Sequence, residues 1–132
     1  MWIGFVLLLI VDQVSKRLLL SSATVSLVEN TGMAFGLLSQ NTALIIALNI
    51  LLLLLLIFYR KKWFDRSVFQ RWAFVFILAG GLGNLADRVF LGFVVDFIRL
   101  PGIPVFNFAD VYINIAVFLL ILHLLKRAPN HV

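Results

Sequence analysis

Asp96 and Asp110 stand on either side of a short connection, residues 97–109, in a chain of 132 residues of which 63% are hydrophobic. Placing an acid in a membrane domain costs about 2.5 to 3.5 kcal/mol on insertion scales, so an acid kept there is a candidate for function. The run Phe93-Val94-Val95-Asp96-Phe97-Ile98 sets one of them among large apolar side chains, where a solvated loop is no explanation. Two carboxyls that converge in a poorly hydrated site cannot both stay ionised and share one proton. The ionised member can deprotonate a water while the protonated member donates to a carbonyl oxygen, the arrangement of an aspartic protease acting on a peptide bond. Spacing alone does not bring them together. Asp110, opening a helix with Asn107 just before it and Asn114 one turn later, is equally readable as a helix cap.

Two further polar groups lie on helical spacing. Asp12 and Lys16 are four residues apart on one face, with Gln13 beside them; a salt bridge that offsets desolvation is the plainer reading, against direct chemistry. Gly80, Asn84, Asp87 and Arg88 form one stripe, smooth at one end and polar at the other. The glycines Gly80, Gly81 and Gly83 let a neighbouring backbone approach closely. Asn84 and Arg88 could hold the carbonyls of an extended peptide; the alternative is a structural Asp87–Arg88 pair with a capping Asn84.

These residues are carried on four apolar runs, which predict helices spanning a membrane at about 2–20, 42–59, 71–90 and 109–125. Mean hydropathy of +1.09 fits an integral membrane protein of one domain, residues 1–132. Arg60, Lys61, Lys62, Arg66 and Arg71 fall between two runs, and Lys126 and Arg127 follow the last, so those segments and both termini are expected on the cytoplasmic side. Segments 19–41 and 91–109 then face outward, where Gly, Asn, Pro101 and Pro104 favour turns over helix. Residues 23–28 alternate polar and apolar and suggest a short strand. The expected class is an all-α membrane protein of four transmembrane helices with a small extracytoplasmic region containing short strands.

Several other functions are disfavoured. The net charge of +5 is bunched as the membrane reading requires, so a nucleic-acid role is not expected. With no cysteine there is no disulfide or thiolate nucleophile, and His123 and His131 are too far apart in sequence to suggest a metal site. A cleavable leader is a poor reading of a start that lacks a basic segment and is interrupted by Asp12, Lys16 and Arg17. Gly81-Leu82-Gly83-Asn84-Leu85-Ala86 matches a dinucleotide fingerprint but lies inside a helix with no strand before it. Gly32 and Gly36 are a helix-dimer spacing outside any apolar helix, and nothing orients a dyad of Lys16 with Ser21 or Ser22.

The chain resembles bacterial lipoprotein signal peptidase, the signal peptidase II family. The resemblance rests on five ordered blocks: Asp12-Gln13-Val14-Ser15-Lys16; Glu29-Asn30-Thr31-Gly32-Met33-Ala34-Phe35; Gly80-Gly81-Leu82-Gly83-Asn84-Leu85-Ala86-Asp87-Arg88; Val94-Val95-Asp96-Phe97; and Phe106-Asn107-Phe108-Ala109-Asp110. It implies a four-span aspartic endopeptidase of the cytoplasmic (inner) membrane, active at the outer face. Such an enzyme removes signal peptides from prolipoproteins on the N-terminal side of a diacylglyceryl-modified cysteine, and it is inhibited by globomycin. It implies Asp96 and Asp110 as the catalytic pair, Asn30, Asn84, Arg88 and Asn107 as substrate-binding residues, and Asp12, Lys16, Gly32 and Asp87 as supports. No metal or organic cofactor is implied, and the partners are the lipid-modified substrate and membrane lipid, met as a monomer. Members usually carry a longer basic start and a longer connection between the two acids, which here could alter a lid over the site.

Two other classes predict different features. A transporter or proton pathway places acids near the midplane and often repeats its halves, whereas here the charges gather toward the helix ends and no repeat is visible. A membrane scaffold tolerates replacement of its acids. An intramembrane protease of the Gly-x-Gly-Asp kind requires Asp where this chain has Asn84.

Overall fold

The computed structural model describes residues 1–22, 26–32, 41–64 and 67–127. In chain order these form α1 (Trp2–Leu20), β1 (Val28–Asn30), α2 (Thr42–Phe58), α3 (Arg60–Trp63), α4 (Val68–Leu91), β2 (Val94–Asp96), β3 (Ile98–Leu100), β4 (Ile103–Phe106) and α5 (Phe108–Arg127). The protein is mostly helical, with two small antiparallel sheets. In the first, Val28 faces Asp96, Glu29 faces Val95 and Asn30 faces Val94; in the second, β3 and β4 pair around the turn at Pro101 and Gly102.

Local chemistry fixes the helix ends. Asn41 caps α2 by accepting from Leu44 N–H at 3.1 Å, and the Ser67 hydroxyl caps α4 by accepting from Gln70 N–H at 3.2 Å. That serine starts α4 three residues before the apolar run that marks it in the sequence. Gly92, with φ of 87°, closes α4 and turns the chain into β2.

Burial is inverted relative to a soluble helix. Within α1 the buried residues are Asp12 and Lys16, while Val6, Leu7, Ile10, Val14 and Leu18 are exposed. Leucines left outward and charges turned inward suit a hydrocarbon surround and not water. By length and composition Val68–Leu91 and Phe108–Lys126 can cross a bilayer; Thr42–Phe58 is apolar but shorter.

α4 is the central helix, touching α1, α2 and α5. A Cβ on Gly80 would run into the Ala109 carbonyl oxygen and Ile113, and one on Gly83 would meet the Asp12 carboxylate. The absent side chains therefore let α5 and α1 seat directly on the α4 backbone. The core divides along α4. Leu53, Phe64, Phe74, Val75 and Leu78 pack the end beside the basic loop, and the buried polar groups other than Gln70 occupy the end facing the strands.

Some elements differ from the sequence expectation. The first strand is Val28–Asn30; Ser26 and Leu27 lie before it, and residues 23–25 of the expected strand lie outside the described residues. Segment 94–106, where the sequence favours turns and irregular backbone over helix, forms three of the short strands expected outside the helices, because Val94-Val95-Asp96 finds β1 as a partner and the Pro101-Gly102 turn folds β4 onto β3. Arg66, His131 and Gly36 also lie outside the described residues.

Candidate active site

The two acids arrive from different elements. Asp96 ends β2 and is 1% exposed, whereas Asp110 sits in the first turn of α5 and is partly open. Asn107, the residue before α5, joins them. Its Nδ2 donates to Asp96 Oδ1 at 2.7 Å, its Oδ1 accepts from Asp110 N–H at 3.0 Å, and its own N–H donates to Asp110 Oδ2 at 3.2 Å. The last two bonds form a reciprocal capping box, Asn-x-x-Asp, at the start of α5. Asn84 closes the ring from α4, donating to Asp110 Oδ1 at 2.9 Å and accepting from Asn107 Nδ2 at 3.1 Å.

β1 supplies the other side. Asn30 Nδ2 donates to Asp96 Oδ2 at 2.9 Å, and Asn30 Oδ1 accepts from Gly32 N–H at 3.0 Å. The Gly32 carbonyl accepts from Arg88 Nη2 at 2.8 Å. Arg88 is held on its own helix by a long bond to the Asn84 carbonyl, and its buried Nε has no hydrogen-bond partner among the described residues.

Behind this ring lies a fully buried ion cluster. Lys16 Nζ is 2.9 Å from both Asp12 Oδ2 and Asp87 Oδ2, and it donates to Asn84 Oδ1 at 3.1 Å. Asp12 Oδ1 accepts from Ala109 N–H at 2.9 Å, and Asp87 Oδ2 from Val95 N–H at 3.3 Å. The two acids thereby grip the backbone one residue before Asp110 and one residue before Asp96. Gln13 Nε2 ties the pair together, reaching Asp12 Oδ2, Asp87 Oδ1 and the Gly83 carbonyl at 3.1 to 3.2 Å. Asp87 turns to Lys16 and away from Arg88, because adjacent residues of a helix point in different directions. That answers the Asp87–Arg88 pairing considered from sequence.

Both carboxyls open on a cavity of about 640 Å³ lined also by Asn30, Asn84, Arg88 and Phe106. A second cavity of about 330 Å³ runs between α2 and α4 past Ile45, Asn49 and Leu53, and it shares Asn84, Arg88 and Asp110 with the first. Burial pushes the Asp96 carboxyl up to about 6 from the ordinary 3.8; the nearby Asp110 charge adds to this, and the Asn30 and Asn107 donors and the Lys16 charge restrain it. No group of three or more His, Asp or Glu among the described residues is placed to hold a metal ion.

All ten residues singled out from the sequence belong to this assembly, with Asn84 and Asn107 more committed to the acids than open to a ligand. Sequence reasoning gave no role to Gln13, to Asn49, whose amide reaches the Gly81 carbonyl at 3.4 Å, or to the β4 wall of the cavity. A lone Asn in the apolar run 43–58 was a legible signal. The β4 wall carried none, since its role arises from the pairing of strands.

The fold and the site together define a class: a small helical membrane protein whose polar residues converge on one cavity holding two carboxyls. The chain belongs to the signal peptidase II family; the sequence model described as Signal peptidase (SPase) II matches residues 4–126. It is 38% identical over 133 aligned residues to a lipoprotein signal peptidase of Fusobacterium nucleatum, covering 89% of this chain and 81% of that protein. A lipoprotein signal peptidase of Caldicellulosiruptor bescii is 34% identical, covering 96% and 91%. The fold is similar to that of a bacterial membrane enzyme solved by the in meso method at 2.3 Å resolution, with a TM-score of 0.88, 31% identity, and coverage of 97% of this chain and 88% of that one. The protein is accordingly a membrane peptidase of the aspartic type.

Proposed function

We propose that this enzyme cleaves signal peptides from prolipoproteins, N-terminal to a diacylglyceryl-modified cysteine, with Asp96 and Asp110 as the catalytic pair. The observation that carries the reading is the Asn107 amide, which holds both acids at the edge of one cavity. The ionised acid takes a proton from water as the water oxygen bonds to the scissile carbonyl carbon, and the other acid gives its proton to the carbonyl oxygen. The resulting diol collapses with cleavage of the C–N bond. The first acid returns its proton to the leaving nitrogen, and the second recovers one from a hydroxyl, which restores the pair.

Arg88 is the foremost substrate contact in this proposal, since it lines both cavities beside Asp110 and its guanidinium can donate to a peptide carbonyl. Asn30 and Asn84 border the same space, and Asn107 serves the acids from behind. Asp12, Lys16, Asp87 and Gly32 support the frame. α1, α2, α4 and α5 each cross the cytoplasmic membrane as one domain, with the basic loop and both termini inside and the site toward the outer face. A lipid-modified peptide enters sideways while its acyl chains stay in hydrocarbon. The enzyme works as a monomer without metal or organic cofactor, and a globomycin-type cyclic peptide occupies the same cavity.

The test is cleavage, by the purified enzyme, of a diacylglyceryl-modified precursor and its unlipidated counterpart. Selective processing of the modified form is expected. Equal processing of both would overturn the substrate assignment.

A further inference from the structure

The two acids are not equivalent, and the asymmetry begins at Lys16. An ammonium can only donate, so the Asn84 oxygen must face Lys16, where it also receives Asn107 Nδ2. The amide cannot be turned over without setting its NH2 against two donors. Its Nδ2 is therefore committed to Asp110 Oδ1, while Asp110 Oδ2 is committed to the Asn107 N–H of the capping box. A proton on either Asp110 oxygen would weaken the bond that oxygen accepts from a fixed donor.

Asp96 is held differently. Its Oδ1 receives the fixed Asn107 amide, but its Oδ2 receives Asn30, a partly exposed residue at the end of β1. A proton on Asp96 Oδ2 displaces that one bond and leaves the ring intact. Asp110 also lies at a helix N-terminus, where the dipole favours negative charge, and Asp96 lies on a strand with no such support. We propose that Asp110 enters the reaction as the charged base and Asp96 as the proton donor, an order that Lys16 sets through the Asn84 amide. This rests on the catalytic pair proposed above and adds the direction in which it works.

The surrounding charges agree. From α1 the groups facing the pair are Lys16 and, beyond it, Asp12; from α4 they are Arg88 and Asp87. Asp12 and Asp87 are both engaged by Lys16 and Gln13. Tyr112 on α5 is buried, Glu29 on β1 is exposed, and Arg99 on β3 turns to Ser26. α2 and β4 contribute no charged residue. The upward push that burial exerts on Asp96 has the same sense.

The test is isotope-edited infrared spectroscopy of the purified, substrate-free protein with labelled aspartate, at about pH 5. A protonated-carboxyl band is expected in the wild type, kept in Asp110→Asn and lost in Asp96→Asn. The reverse pattern, or no such band in the wild type, would overturn the assignment. Because this reading needs no turnover, it can fail while the catalytic pair stands; processing by the two variants tests the pair separately. For the positioning role, Asn84→Leu is expected to lower kcat with little change in KM. A raised KM with an unchanged kcat would make Asn84 a substrate contact and overturn that role.

Discussion

Asn107 and Asp110 cap each other. The Asn107 side chain accepts the Asp110 N–H at 3.0 Å, and the Asp110 carboxylate accepts the Asn107 N–H at 3.2 Å. The second acid of the site is thus also half of the device that starts α5, and its position is as well determined as the helix itself.

That double duty separates the two acids under substitution. Asp96→Asn and Asp110→Asn are each expected to lower cleavage of a lipid-modified precursor by roughly 10² to 10⁴-fold. Asp110→Asn should also lower the melting temperature, since it weakens the cap by about 1 kcal/mol. Processing at the wild-type rate by either purified variant would count against the pair.

The pH dependence follows from Asp96. Its folded-state value of about 6 lies above the ordinary 3.8, so its stabilising contribution is complete below 3.8 and is lost as pH rises through about 6. Cleavage that requires the protonated acid is expected to decline over the same rise. The melting temperature of Asp96→Asn relative to the wild type should increase as pH is raised through 6, because the variant has no charge to bury. Thermal melts of both proteins on either side of that pH check the sign.

The glycines of α4 should respond unequally. Gly80→Ala drives a methyl group into the Ala109 backbone carbonyl and should cost about 1 to 3 kcal/mol, with lost activity as the start of α5 shifts. Gly81→Ala meets the Leu53 side-chain tip, which can rotate away, and should stay within about 1 kcal/mol of the wild type. Denaturation in detergent, read beside turnover, distinguishes them.

Removing the buried ammonium should be worse than either. Lys16→Met leaves Asp12 and Asp87 facing each other without a cation and is expected to cost about 3 to 5 kcal/mol. Adding Asp12→Asn to that variant should recover part of the loss, as measured by the yield of folded protein. A single variant as stable as the wild type would show that the cluster is not a net ion pair.

Much of this was legible in the sequence because lipid penalises misplaced polarity. Asp12 with Lys16, and Asn84 with Asp87, announce themselves as polar groups on apolar helices. The helices follow from hydropathy, although the Ser67 cap starts α4 ahead of the apolar run. What could not be read was the pairing across the chain. Nothing local states that Asp87 prefers Lys16 to its neighbour Arg88, or that Asn107 stands between the two acids instead of lining the cavity. The places of β2, β3 and β4 were equally hidden, since three residues such as Val94–Asp96 carry too little pattern without their partner.

The cation shared by Asp12 and Asp87 imposes a schedule on biogenesis. Asn84, the nearer of its α4 contacts along the chain, is 68 residues beyond Lys16, a lag of roughly 3 to 14 s at about 5 to 20 residues per second. Until then the first helix carries an ammonium with one of its three final partners, so it should linger near the insertion machinery. Quality-control proteases would have their opening in that interval, before Asp96 or Asp110 has been made.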